Sequence, residues 1–400
     1  MTALGLDFRV SPELSGNLRQ WRTRAAAAGG VGLALTVLGI FLVSPFQFYR
    51  SYLWCYVFYL GVAVGSLAWL MLQYLTGGAW GVVIRRPAEA AARTIPLLAL
   101  LFLPIVIGIP NLYKWSHPNL VAADEVLRHK RVYLNTPFFL ARAVLYFAGW
   151  CFLAWFFNRG SAAEDREGGS KQHGRMAALA GPGIIFWGFS ITFMAVDWVL
   201  SLDPHWFSTI FGLIFMAGQG LSSLAFLIAL MVLLSYYRPM SEVLTARHLH
   251  DLGKLLLALV MVWAYFAFSQ FLIIWSGNLP EEIPWYLERL SGGWQYVALA
   301  LIVGHFALPF ALLLSRDLKR NFKLLASIAV FILFMRYIDL YWLVAPDFAK
   351  GAFTVSWMDF TAPIGIGGVW LYAFLGQLEK RPLMPLHEPH LEEALEHGRG

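Results

Sequence analysis

The chain has 400 residues, of which 59% are hydrophobic and only 14% charged, with a formal net charge of +6. Soluble chains average about 25% charged residues, so these proportions exclude a soluble domain and predict an all-α polytopic membrane protein. The basic residues flank apolar stretches, so the positive charge is a topology signal; no nucleic acid is expected as a partner, and membrane lipids are.

Residues 1–24 are polar and lack a short apolar core followed by a small-residue cleavage site, so they read as a retained cytoplasmic arm. Taking about 20 apolar residues as one crossing, ten crossings follow: 25–43, 52–75, 95–113, 133–157, 176–200, 209–237, 254–275, 295–314, 323–345 and 362–379. They make one integral membrane domain over 25–379, followed by a tail at 380–400. An even number of crossings puts both termini on one side. An approximately threefold excess of Lys and Arg on that side places the termini, tail included, in the cytoplasm.

Between the crossings, 77–94 reads as an interfacial amphipathic segment, with Arg85, Arg86 and Arg93 directed at inner-leaflet head groups. The loop 114–131 is long and basic for its side, and 158–175 is a polar, Gly-rich linker that marks no new domain. The loop 276–294, with Glu281, Glu282 and Glu288, offers a docking surface for a soluble or peripheral partner.

A weak internal symmetry runs through these elements. Arg86-Pro87 and Arg238-Pro239 each precede a short amphipathic run and a return helix, and crossings 5 and 9 then carry one Asp each, Asp197 and Asp339. Two four-helix bundles account for this, crossings 2–5 (about 52–200) and 6–9 (about 209–345), with crossings 1 and 10 peripheral.

The candidate chemistry lies in the charges inside crossings. A charge near the bilayer centre costs roughly 2.5 to 3.5 kcal/mol, so such residues face protein, water or each other. Arg336 and Asp339 stand three residues apart on one helical face. At about 1.5 Å per residue, Asp339 lies about 24 Å above Lys323, in the outer half of the hydrocarbon. His305, in the middle of crossing 8, is close in depth, so the three form either a proton-handling cluster or an intrahelical clamp beside a packing histidine. In the first bundle, Arg142 and Asp197 fall near one level and either pair as a helix lock or belong to a site. Asp197, Trp198, Asp203, His205 and Trp206 together supply the carboxylates, imidazole and indoles that a quinol pocket or outer proton cavity needs; an aromatic belt with a polar turn is the other reading. Gln219, Ser223, Ser269 and Gln270 read as interhelical hydrogen-bonding groups.

Cofactor ligands are sparse. Cys55 and Cys151 lie in apolar helices without C-x-x-C or C-x-x-C-H spacing, so no covalent haem or iron-sulfur cluster is expected, and no metal ligand set is assigned. His305 is the only histidine deep in a crossing, so electrons released by a quinol have to pass to a partner subunit.

The stretches FYRSYLWCYVFYLGVAVGSLAWLMLQYLTGGAWGVVIRRPAEAAARTIPLLALLFLPI (48–105) and HDLGKLLLALVMVWAYFAFSQFLIIWSGNLPEEIPWYLER (250–289) resemble the ActF-type membrane subunits of bacterial alternative complex III, in the polysulfide reductase (NrfD-like) family. That resemblance covers nearly the whole chain. It implies a bacterial inner-membrane subunit of a quinol:cytochrome c or oxidase-linked oxidoreductase, not catalytic alone, with a quinone such as menaquinone as its ligand. The partners it implies are a paralogous NrfD-like membrane subunit, iron-sulfur and multihaem cytochrome c subunits, and a terminal oxidase. It further implies that the paralogue carries the main quinol site, which raises a proton-pathway or anchoring role for this chain. A secondary transporter is the alternative, but Pro182 and Pro309 do not fall at matching places in the two halves, as broken-helix repeats require.

Reporter fusions after Gly168 and Gly277 are expected to lie on opposite sides of the membrane, and signals from the same side would contradict the ten-crossing map.

Overall fold

The computed structural model describes residues 7–167, 170–349 and 351–399. Ten helices among them are long and apolar enough to cross a membrane: α1 Pro12–Leu42, α2 Pro45–Thr76, α3 Ala79–Ile107, α4 Thr136–Glu167, α5 Gln172–Leu202, α6 Phe211–Leu234, α7 Ala246–Gly277, α8 Trp294–Leu314, α9 Phe322–Val344 and α10 Met358–Leu378. The protein is an all-α polytopic membrane protein. Gly168 lies outside the described residues.

The helices outrun the apolar stretches that announce them. α1 begins at Pro12, where the Ser11 side chain accepts from the Leu14 amide, so the greater part of the expected arm is helix. Its polar first turns run beside the end of α10, where Glu379 accepts from the Ser15 hydroxyl at 2.8 Å and from Arg19 at 3.0 Å. Both termini therefore lie at one face of the bundle, the terminal face. The helix pair continues inward on glycine: Gly29 and Gly32 of α1 lie so close to Gly365 and Gly368 of α10 that a Cβ on any of them would strike backbone.

α2 and α6 form the centre. In their apolar windows 83% and 78% of residues are buried, against 22% for α7, whose outer face is left for lipid. They meet where Gly65 of α2 abuts the Gln219 backbone and Ser223 hydroxyl of α6, and Trp69 donates to the Gly220 carbonyl at 3.0 Å. Around this pair α2–α5 and α6–α9 each close into a ring of four helices, and α1 and α10 pack on α2 from outside.

α3 departs from expectation. Arg85 and Arg86 do not reach lipid head groups: Ala79–Ala92 is a buried helix that runs on toward the third span, and both arginines are 1% exposed. Carboxylates gathered around them offset the desolvation penalty. Arg85 meets Tyr74, Glu89, Glu164 and Glu388, and Arg86 meets Glu89 at 2.8 Å, Ser161 at 2.7 Å and Asp165 at 2.5 Å. Glu388 belongs to the tail, which folds back over the terminal face. Arg381 donates to Glu89 and to the Asn158 carbonyl, and Leu391, Ala394 and Leu395 are buried against the bundle.

Candidate functional site

Apart from the arginine cluster of α3 at the terminal face, each bundle buries an arginine–aspartate pair among its own apolar turns, and these two pairs differ in what they leave free. In the first, Arg142 of α4 grips Asp197 of α5 with two parallel bonds, Nε to Oδ2 and Nη2 to Oδ1, both 2.8 Å. The Tyr146 hydroxyl adds a third at 2.7 Å, and Arg142 lies 3.8 Å from the Tyr133 ring centroid while donating to that residue's carbonyl. Both carboxylate oxygens are thus occupied by donors held on other turns, which is the geometry of a helix lock. Trp198 is fully buried, 4.4 Å from Phe102 between ring centroids, with its carbonyl accepting from Tyr113.

Asp203 and His205 do not join this pair. Past the end of α5, His205 pairs with Asp124 at 2.7 Å, its backbone amide donates to Asp203, and nearly half of its side chain is exposed. Trp206 stacks on Trp285 at 4.3 Å, linking the loops of the two bundles at the far face. The residues that sequence places in one aromatic slot are therefore dispersed over a lock, an exposed turn and a loop contact.

The second bundle is built differently. Arg336 and Asp339 lie one turn apart on α9, and Asp339 Oδ2 takes both Arg336 Nη1 and Trp263 Nε1, the latter at 3.1 Å from α7. Trp263 in turn stacks on His305 at 4.1 Å and 11°. His305 is fully buried, and neither ring nitrogen has a hydrogen-bond partner among the described residues. It sits in a π-helical segment, Leu301–Ala307, just before Pro309. Pro309 lacks an N–H and its ring crowds the carbonyl of His305 four residues back, so the widened turn relieves a clash that a regular helix would keep.

Beside this cluster lies a cavity of about 740 Å³ lined by α7, α8, α9, the loop before α8 and, through Ile214, α6. Its walls are almost wholly apolar, including Met261, Phe268, Leu301 and Phe306, and the residues with polar groups that line it are Trp263, Tyr265, Gln270, Tyr286, Asp339 and Trp342. Gln270 is oriented by the Ser208 hydroxyl at 2.8 Å and itself donates to Tyr286. Met261, Tyr265, Phe268 and Ile302 are exposed on the outside of the bundle, so the cavity opens sideways toward lipid. A volume of this size suits a drug-sized ring system.

Sequence reading named Arg336, Asp339, His305 and Gln270, and the structure places all four in or against this region. It missed Trp263, Tyr286 and Trp342. Trp263 had a signal: tryptophan concentrates at membrane interfaces, and this one stands in mid-helix.

At the far-face rim, Arg289 holds Asp347 at 2.9 Å and the Leu343 carbonyl at 3.0 Å. Burial pushes the Asp347 carboxyl up to about 6 against the opposing pull of Arg289, and Asp203 and Glu288 add to the rise. Compared with known proteins, the chain matches no family model and no curated protein.

Because Asp347 holds its proton more tightly folded than unfolded, its contribution, about 3 kcal/mol at most, is fully present below about pH 4 and is lost as pH rises through about 6. Thermal melts in detergent from pH 4 to 7 are expected to show a steeper fall in stability for the native protein than for Asp347→Asn. Equal slopes would show that Asp347 does not titrate in this window.

Proposed function

We propose that this chain is a quinol-handling membrane subunit of a larger oxidoreductase of the alternative complex III type, and that the quinol ring occupies the cavity between α7, α8 and α9. The observation that carries this reading is the conjunction of a laterally open apolar cavity with a membrane-buried carboxylate in its wall. An isoprenoid quinol lives in the bilayer, so its ring reaches a pocket that opens to lipid without crossing water, and its tail remains outside among the exposed apolar side chains of α7 and α8.

Oxidation of a quinol to a quinone releases two protons and two electrons. Asp339 is the proton acceptor: Oδ2 is held by Arg336 and Trp263, and Oδ1 remains for a ligand hydroxyl. Protonation of Asp339 leaves Arg336 unpaired in the bundle interior, which favours onward release of the proton. His305 stacks on the Trp263 ring and so braces the indole that holds Asp339, while Tyr286, held by Gln270, receives the second hydroxyl and passes its proton toward the far-face loop that carries it. The electrons pass to an iron-sulfur or haem-bearing partner subunit. In this reading Arg142–Asp197 is the structural counterpart of the pair in the second bundle. The terminal face is cytoplasmic, by the distribution of Lys and Arg.

Asp339→Asn keeps the shape of the wall and removes the titrating group. In the assembled complex it is expected to lower quinol oxidation by about 10²- to 10⁴-fold, the usual weight of a general base, while binding of a non-oxidisable quinol analogue persists. Unchanged turnover contradicts the proposal, and loss of assembly makes the pair a packing clamp.

A further inference from the structure

A second cluster lies at the terminal face, remote from the proposed quinol cavity and independent of that reading. His173 at the start of α5, Glu388 and His390 of the tail bring one ligand atom each within 4.8 Å of the others. We propose that these residues form a divalent-metal site of the zinc class, which staples the folded-back tail to the α4–α5 hairpin.

The three ligand atoms stand close enough together for one cation to bridge them, and the pairs that are hydrogen-bonded are long for such bonds. His173 Nδ1 is 3.5 Å from Glu388 Oε2, His390 Nδ1 is 3.2 Å from Glu388 Oε1, and Glu164 Oε1 is 3.3 Å from His173 Nδ1. Hydrogen bonds of this type centre on about 2.9 Å. Ligands held at about 2.0–2.1 Å around tetrahedral zinc stand about 3.3 Å apart; the His390–Glu388 and His173–Glu164 separations are of that length, and the three ligand atoms all lie within 4.8 Å. Two imidazoles and a carboxylate are a zinc donor set, and Glu164 or a water completes four-coordination.

The surroundings permit the charge. Glu89, Glu164, Asp165 and Glu388 are balanced by Arg85, Arg86, Arg381 and Arg93 with the histidines neutral, so the ligand carboxylates meet no net positive charge in the cluster. Arg85 fixes Glu388 from the buried side, which orients the ligand as an outer partner does in metal sites. Glu388 is itself fully buried, whereas the His390 side chain is 36% exposed, so the ion has an entry path. The three ligands come from segments more than 200 residues apart in sequence, so the metal closes a long loop.

The test uses the full-length protein carrying no histidine tag, dialysed against zinc chloride and washed, with metal counted by mass spectrometry and affinity measured against a chelating dye. One equivalent of zinc per chain is expected for the native protein. His390→Ala and His173→Gln, which leave the Arg85–Glu388 pair intact, are each expected to weaken binding at least about 100-fold, since loss of even an outer-shell partner costs 10- to 100-fold. Zinc should also slow tryptic cleavage after Lys380 in the native protein and not in the variants. Less than a tenth of an equivalent in the native protein, or variants that bind zinc as tightly as it does, would overturn the proposal.

Discussion

An ionised side chain inside a bilayer has to be matched by a partner within the protein, and this constraint shapes the chain more than any other. The two bundles meet it in opposite ways. In the first, the arginine comes from a neighbouring helix, grips both carboxylate oxygens of Asp197 and is joined by Tyr146, so α4 and α5 are locked and nothing is left over. In the second, arginine and aspartate share one helix, Asp339 is engaged through a single oxygen, and the carboxylate forms part of a cavity wall. The acid of α5 is thus closed off by its donors, whereas the acid of α9 keeps one oxygen free.

The rest of the fold serves that asymmetry. The tightly packed α2 and α6 provide a rigid spine on which both rings are built, while α7 and α8 face outward and leave room between their side chains. The π-helical turn at Leu301–Ala307, forced by Pro309, sets His305 against the Trp263 ring, whose indole N–H reaches Asp339. At the terminal face a different solution prevails. Arg85 and Arg86 are buried without lipid contact because carboxylates from α3, α4 and the tail surround them.

Much of this was legible in the sequence. Apolar runs set the ten spans because hydropathy is local, and Arg142, Asp197, Arg336 and Asp339 stood out because charge in such runs is rare. The pairing of Arg142 with Asp197 followed from matched depth alone. What failed was information carried by distant partners. Residues 77–94 resembled an interfacial helix because a single stretch shows its basic residues and not Glu164 or Glu388, which lie 79 and 303 residues from Arg85. Asp203 and His205 looked like neighbours of Asp197 by sequence proximity, but the end of α5 turns them to the exterior, where Asp124 takes His205. The cavity was invisible for a related reason, since its walls come from four helices and a loop and its emptiness is a property of packing.

The central claim is that quinol enters the second bundle from the side. A photoreactive quinone analogue added to the complex in lipid vesicles, followed by digestion and peptide mapping, tests it most directly. Label is expected on α7, α8 and α9, around Phe268, Ile302 and Trp342, with competition by native quinol. Label confined to the first bundle near Trp198, or to a partner subunit alone, would contradict it.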